Sequence, residues 1–315
     1  MKITHVKNAV PYLVAAAALF LCPVTADAEA KATYQYNLSD FSGTVRYGWV
    51  RPVVDSERNE VYVVTGNAVS VFNDSGMEVF RFGDDLDLGR LVDVAVEPDG
   101  NILVLSYVKD RFTVTRCNFR GEPRSGIEIR NLPRDFAGFS PTRLILRDGS
   151  IYLADQFAEK VVVTDANGVF RKGYDIAPLL ADFETKPGSQ SDISGFTVDD
   201  KGTMFFTIPA IFKVCRLSPD GAFSAFGDPG NLPGKFNIVA GIATDESGFI
   251  YVTDTLRCAV TIFDKDFRFQ EQFGQRGLEP GSLIAPNEMA VDKKGRVYVS
   301  QARNRGISVF RVTHD

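Results

Sequence analysis

Short runs of alternating apolar and polar residues recur along the whole chain, each entered from a Gly/Asp turn. They read VYVV from Val61, ILVL from Ile102, IYLA from Ile151, MFFT from Met204, IYVT from Ile250 and VYVS from Val297. Successive runs begin between 41 and 53 residues apart. Five follow explicit turns: PDG before Asn101, RDG before Ser150, DDKG before Thr203, DESG before Phe249 and DKKG before Arg296. A second strand follows each run, at residues 70–72, 112–116, 160–165, 211–216, 260–264 and 307–310. The period of two and the β-branched and aromatic content predict strands, and no segment carries a long helical period.

Six such units with four short strands each predict an all-β fold, a six-bladed β-propeller. One small sheet cannot bury both its faces, so blades pack on each other around a ring. The last unit stops after its third strand, at ISVFRVTHD, while ATYQYNLSDFSG (32–43) precedes the first unit and matches a fourth strand such as VFRFG (79–83). That segment is expected to complete the sixth blade, so that the N-terminal strand closes the ring and leaves no open sheet edge.

The repeat units resemble NHL repeats. The segments FGDPGNLPGKFNIVAGIATDESGFIYVTDTLRCAVTIF (226–263) and FGQRGLEPGSLIAPNEMAVDKKGRVYVSQARNRGISVF (273–310) carry the likeness best. Their pattern is a Gly-rich entry, a first strand like P-x-G-I-A-V-D, then G-x-I-Y-V-A-D, N-x-R and V-F. The match is fair in the third unit and degenerate in the first, second and fourth, and it extends over residues 29–315. The resemblance implies a propeller serving as a binding platform, a sensor domain or, in some members, an enzyme.

The N-terminal segment reads differently. Lys2 and Lys7 precede the apolar run Tyr12–Cys22, and Ala26-Asp27-Ala28 offers the small residues of a cleavage site. This predicts a signal peptide over residues 1–28, followed by the propeller over 29–315, and a periplasmic or secreted protein. The apolar run is about half of the ~20 residues that span a bilayer, so an uncleaved anchor is the weaker alternative and no membrane span is expected after cleavage.

Aligning the innermost strands brings one position of each blade into a single layer at the mouth of the central channel: Arg51, Asp93, Arg143, Gly195, Gly241 and Glu288. Because the sixth blade meets the first, Glu288, Arg51, Asp93 and Arg143 form an arc of alternating charge. The next layer inward is small and mostly apolar: Val53, Ala95, Ile145, Thr197, Ala243 and Ala290. The preferred reading of the arc is a network that neutralises itself. A sharper reading is a ligand site, with two glycines clearing space opposite two guanidiniums that grip a carboxylate or phosphate. A metal site fits poorly, since arginines flank the carboxylates.

Composition narrows the chemistry. The chain has 315 residues, a formal charge of −5 and two histidines, His5 and His314, both at its ends. No central histidine is expected as zinc ligand or triad base. The resemblance includes amidating lyases that hold zinc with histidines, which are missing here. It also includes gluconolactonases that hold a divalent ion with Glu, Asn and Asp, a set to which Glu288 and Asn287 could contribute. The RNA-binding face of some cytoplasmic relatives needs a basic surface, and this mildly acidic chain has no Lys/Arg run, so no nucleic acid is expected. No Walker loop, nucleophile elbow or EF-hand loop is present, and no cofactor is implied. The run Asp84-Asp85-Leu86-Asp87 lacks calcium-loop spacing. Cys258 is expected on the loop-rich face and Cys117 and Cys215 near third-strand ends towards the opposite one, so no intramolecular disulfide is expected.

Two long connections, 130–140 and 176–192, suggest a partner groove built from Leu132, Phe136, Phe139, Arg143 and Phe183, with Phe136 and Phe139 exposed. The leading expectation is an exported, non-catalytic binding or scaffold propeller that recognises a protein or an extracytoplasmic small ligand through its loop-rich face and channel mouth. The alternatives are a metal-dependent hydrolase or lactonase, and small-anion or glycan binding at the Arg51/Arg143 rim.

Overall fold

The computed structural model describes residues 30–84, 88–183 and 191–314. The signal peptide expected over 1–28, Asp85-Leu86-Asp87 and part of the 176–192 connection lie outside the described residues.

Six four-stranded antiparallel sheets form the blades. The first blade, from the inside outwards, is Arg51–Asp55, Glu60–Val64, Val69–Phe72 and Glu78–Phe82. The second is Arg90–Val96, Ile102–Val108, Arg111–Cys117 and Pro123–Ile127. The third is Arg143–Arg147, Ser150–Asp155, Lys160–Asp165 and Phe170–Asp175. The fourth is Phe196–Val198, Met204–Ile208, Lys213–Leu217 and Phe223–Phe226. The fifth is Val239–Thr244, Ile250–Asp254, Ala259–Phe263 and Phe269–Phe273. The sixth takes Met289–Val291, Arg296–Ser300 and Ile307–His314 from the end of the described chain, and its outer strand is Ala30–Asn37. The pairing of Ala30 with His314 through Asn37 with Ser308 closes the ring with the N-terminal strand. Residues 39–40 and 43–44, expected to extend that strand, instead form a separate small ribbon.

The turns explain the repeat's Asp and Gly. Asp199 Oδ1 accepts from the N–H groups of Lys201 and Thr203, and Gly202 follows at φ 77°. Asp245 and Asp292 do the same for residues two and four further on, ahead of Gly248 and Gly295. A short acceptor at the first position and a residue tolerant of positive φ at the fourth thus satisfy the backbone of each turn. All these turns lie on one face, while the connections that enter the inner strands lie on the other.

The core sits between blades. Tyr251, Tyr298, Phe72, Phe206 and Phe263 are among its largest fully buried side chains, each contributing about 1.5–3 kcal/mol if buried completely. Hydroxyls stitch neighbouring blades at the inner strands. Thr207 Oγ1 donates to Ala240 O, Thr253 Oγ1 to Asn287 O at 2.8 Å, and Val50 N donates to Ser300 Oγ at 3.0 Å.

Candidate functional site at the channel mouth

The inner-strand register holds. The layer Val53, Ala95, Ile145, Thr197, Ala243 and Ala290 lines a narrow cavity of about 130 Å³ on the propeller axis. Above it stand the charged residues. Arg51 Nε lies 2.7 Å from Asp93 Oδ1, and Arg51 Nη1 lies 3.5 Å from Glu288 Oε2. Glu288 Oε1 also pairs with Arg143 Nη2. Arg143 belongs to the third blade and Glu288 to the sixth, so this pair crosses the channel and closes its mouth.

Asp93 is fully buried, and its oxygens accept from Val94 N at 2.9 Å and Leu144 N at 2.7 Å. Burial pushes its carboxyl above the usual range, while Arg51, Arg143 and the two N–H donors pull the other way. Burial likewise lowers the Arg143 guanidinium, against the pull of Glu288. Arg143 Nη1 donates to Thr142 O at 3.1 Å, and its buried Nε meets no acceptor among the described residues.

The glycines have another cause than the one expected. A Cβ on Gly195 would lie 2.4 Å from Ala240 O, and one on Gly241 would lie 2.1 Å from Asn287 O. They admit the neighbouring blade's backbone and clear no space for a ligand.

A shallow pocket of about 480 Å³ opens beside the pair, lined by Arg143, Gln156, Phe157, Ser194, Asn287 and Glu288. Gln156 organises its floor, accepting from Thr142 Oγ1 at 2.8 Å and donating to Ile193 O at 2.9 Å. Among the described residues, no three His, Cys, Asp or Glu side chains come together in a way that could hold a metal ion. His314 sits at the far end of the blades, 3.2 Å from Asp245 Oδ2 and stacked on Phe249.

The expected partner groove does not assemble as one surface. Phe136 is buried (8% exposed), packed on the Phe170 ring and over the backbone of Gly173, with Lys160 Nζ 5.6 Å from its ring centre. Gly173 supplies the room for this ring, which corrects the expectation of an exposed Phe136. Leu132 and Phe139 line a cleft between the second and third blades. Phe183 packs edge-on against Phe223 of the fourth blade, with Lys213 over its ring. Arg143 faces the channel mouth instead.

Sequence reasoning missed the apolar rim of this face. Trp49 is 59% exposed, Phe157 63%, Leu256 52% and Ile238 42%. All four sit in connections on the face that carries the mouth. Trp49 adopts φ 51° and Ala285 φ 43°, and the indole N–H of Trp49 donates to Ala285 O at 3.2 Å. Left-handed backbone at two non-glycine residues stores strain of order 1–3 kcal/mol each, and here it presents an aromatic to solvent. A lone exposed apolar residue in a loop carries no pattern, so only the fold could gather these four.

No family model matches the chain. Protein brain tumor of Drosophila melanogaster is 39% identical over 66 residues, which are 21% of this chain and 6% of that protein. The likeness therefore spans a small fraction of that relative's length. Among solved structures, virginiamycin B lyase from Staphylococcus aureus aligns over 90% of this chain and 99% of its own, at 11% identity and a TM-score of 0.57. A gluconolactonase from Xanthomonas campestris aligns over 90% of both chains, at 12% identity and a TM-score of 0.59. The calcium-binding protein regucalcin from Agrobacterium tumefaciens aligns over 88% of this chain and 95% of its own, at 14% identity and 0.57. These likenesses establish the six-bladed propeller fold.

Proposed function

We propose that the protein is an NHL-type binding propeller without chemistry of its own, exported from the cytoplasm, whose partner docks on the face around the channel mouth. The observation that carries this reading is the pairing of an apolar rim with a closed mouth. Trp49, Phe157, Ile238 and Leu256 are exposed in connections on the face that carries the mouth, where Arg51, Asp93, Arg143 and Glu288 neutralise one another. Exposed apolar side chains grouped on one face mark a contact surface. A guanidinium already held by a carboxylate is not offered to a small anion. The 66-residue likeness to Protein brain tumor supports the NHL assignment.

A second reading is an enzyme. It is supported by the fold shared with proteins named as a lyase and a gluconolactonase, and by the pocket holding Asn287 and Glu288. A third, small-anion or glycan binding, keeps one observation in its favour, the buried Arg143 Nε without an acceptor.

A photo-crosslinking side chain placed at Phe157, and separately at Lys201 on the opposite face, tests the leading reading in the native host. One discrete adduct is expected from position 157, absent from position 201 and lost when Trp49→Ser and Leu256→Ser are combined. Adducts of equal yield from both faces would overturn it.

A further inference from the structure

The second blade departs from the other five. Its strands Ile102–Val108 and Arg111–Cys117 have seven residues each and meet at a two-residue turn, Lys109-Asp110, with φ of 47° and 64°. Both positive φ values mark the tight hairpin whose twist suits its strands. The outer strand Pro123–Ile127 reaches only Val114, which pairs with Ile127. Arg111, Phe112 and Thr113 therefore pair with Val108, Tyr107 and Ser106 on one side and, among the described residues, with no strand on the other. In the remaining blades the outer strand accompanies the third to within one residue of its end.

Hairpin closure joins Val108 to Arg111, so the alternation of an antiparallel ladder directs the Phe112 N–H and C=O towards the open edge. Beside this edge lies a groove of about 910 Å³, lined by Tyr107, Phe112, Ile127, Ile129, Leu132 and Phe139. The aromatic pair Tyr107 and Phe112 stands at its wall, with ring centres 5.1 Å apart.

We propose that this groove binds an extended segment of a partner protein, which adds to the blade in line with Pro123–Ile127 and antiparallel to Arg111–Thr113. The proposal rests on the binding reading above and names one structural mode for it. Main-chain bonds to the edge supply affinity, and alternate side chains enter the groove. Charge sets the direction and chemistry of the occupant. A segment running as Pro123–Ile127 does begins beside the exposed Glu128 and ends at the hairpin tip. At the tip Arg90 and Lys109 are exposed, as is Arg111, and none of the three makes an ion pair with a described residue; among the described residues Asp110 is the one carboxylate at this tip. The segment that fits alternates apolar residues and finishes in acidic ones.

The test uses the acetylated peptides TVTVEE and TVTVKK, and TVTVEE carrying backbone N-methyl groups, measured against the purified chain by fluorescence anisotropy and by amide exchange. TVTVEE is expected to bind and to slow exchange at Phe112. Its affinity is expected to fall roughly tenfold with the lysine peptide, or on Arg111→Glu, and to vanish on N-methylation. Absence of binding, or binding that leaves Phe112 exchange unchanged, would overturn the proposal. A Phe157 adduct that persists while TVTVEE fails to bind would remove this groove and leave the face around the mouth as the docking surface.

Discussion

At the scale of single residues, Asp93 carries the channel mouth. It is fully buried between two blades, against Arg51 and two N–H donors. Removing one partner from a buried pair leaves an uncompensated charge, so Asp93→Ala is expected to cost about 3–5 kcal/mol in urea denaturation. Replacing both members of the cross-channel pair, Arg143→Met with Glu288→Leu, is expected to leave stability unchanged or raised, because the desolvation of both ions is removed together. The cysteines give a second check. Burial pushes the Cys117 thiol up to about 11 and the Cys215 thiol up to about 12. Both therefore remain protonated thiols at pH 8, and alkylation at that pH is expected only after unfolding. Fast labelling of Cys215 in the folded protein would contradict its burial. The structure leaves Cys117, Cys215 and Cys258 free, as their separation along the fold implied. Which charges would share the mouth was legible, since strand register alone stacks Arg51, Asp93, Arg143 and Glu288. That Glu288 would reach across the axis to Arg143 was not, because register fixes Cα positions and leaves side-chain reach open. Phe136 shows the same limit: its loop looked solvated, and only the cleft over Gly173 explains why the ring turns inward.

At the scale of elements, the hairpin turns were read well because their chemistry is local. An Asp that accepts two backbone N–H groups and a glycine at positive φ need nothing outside five residues. The glycines of the inner strands were misread because their reason is tertiary. Gly241 faces Asn287 O at a distance no Cβ tolerates, and Thr253 ties the same carbonyl to the fifth blade. Gly241→Ala is therefore expected to lower stability by about 1–3 kcal/mol, by forcing the fifth and sixth blades apart. Thermal unfolding measures this, and an unchanged midpoint would contradict the close approach. The long second-blade hairpin also escaped sequence reading. Its apolar alternation continues past the point where its outer partner ends, and the end of a partner strand leaves no mark on the strand it abandons.

At the scale of the whole molecule, the N-terminal strand joins the sixth blade and turns a linear array of repeats into a closed ring. Closure brings Glu288 of the last blade beside Arg51 of the first, and so assembles the mouth from both ends of the described chain. The two faces then differ in character. One carries the Asp-rich turns, including Asp199, Asp245 and Asp292, whose carboxylates are committed to backbone N–H groups. The other carries the charged mouth with its apolar rim, and the proposed contact surface is placed there. The fold is shared with a lyase and a gluconolactonase, so the proposed binding role turns on whether this mouth, spanned by its own ion pairs, takes up a catalytic ion. The direct measurement is the divalent-metal content of the chain purified without chelator. Less than a tenth of an equivalent of any divalent metal is expected, unchanged by Glu288→Gln. One tightly held ion per chain, lost in Glu288→Gln, would contradict the proposed role.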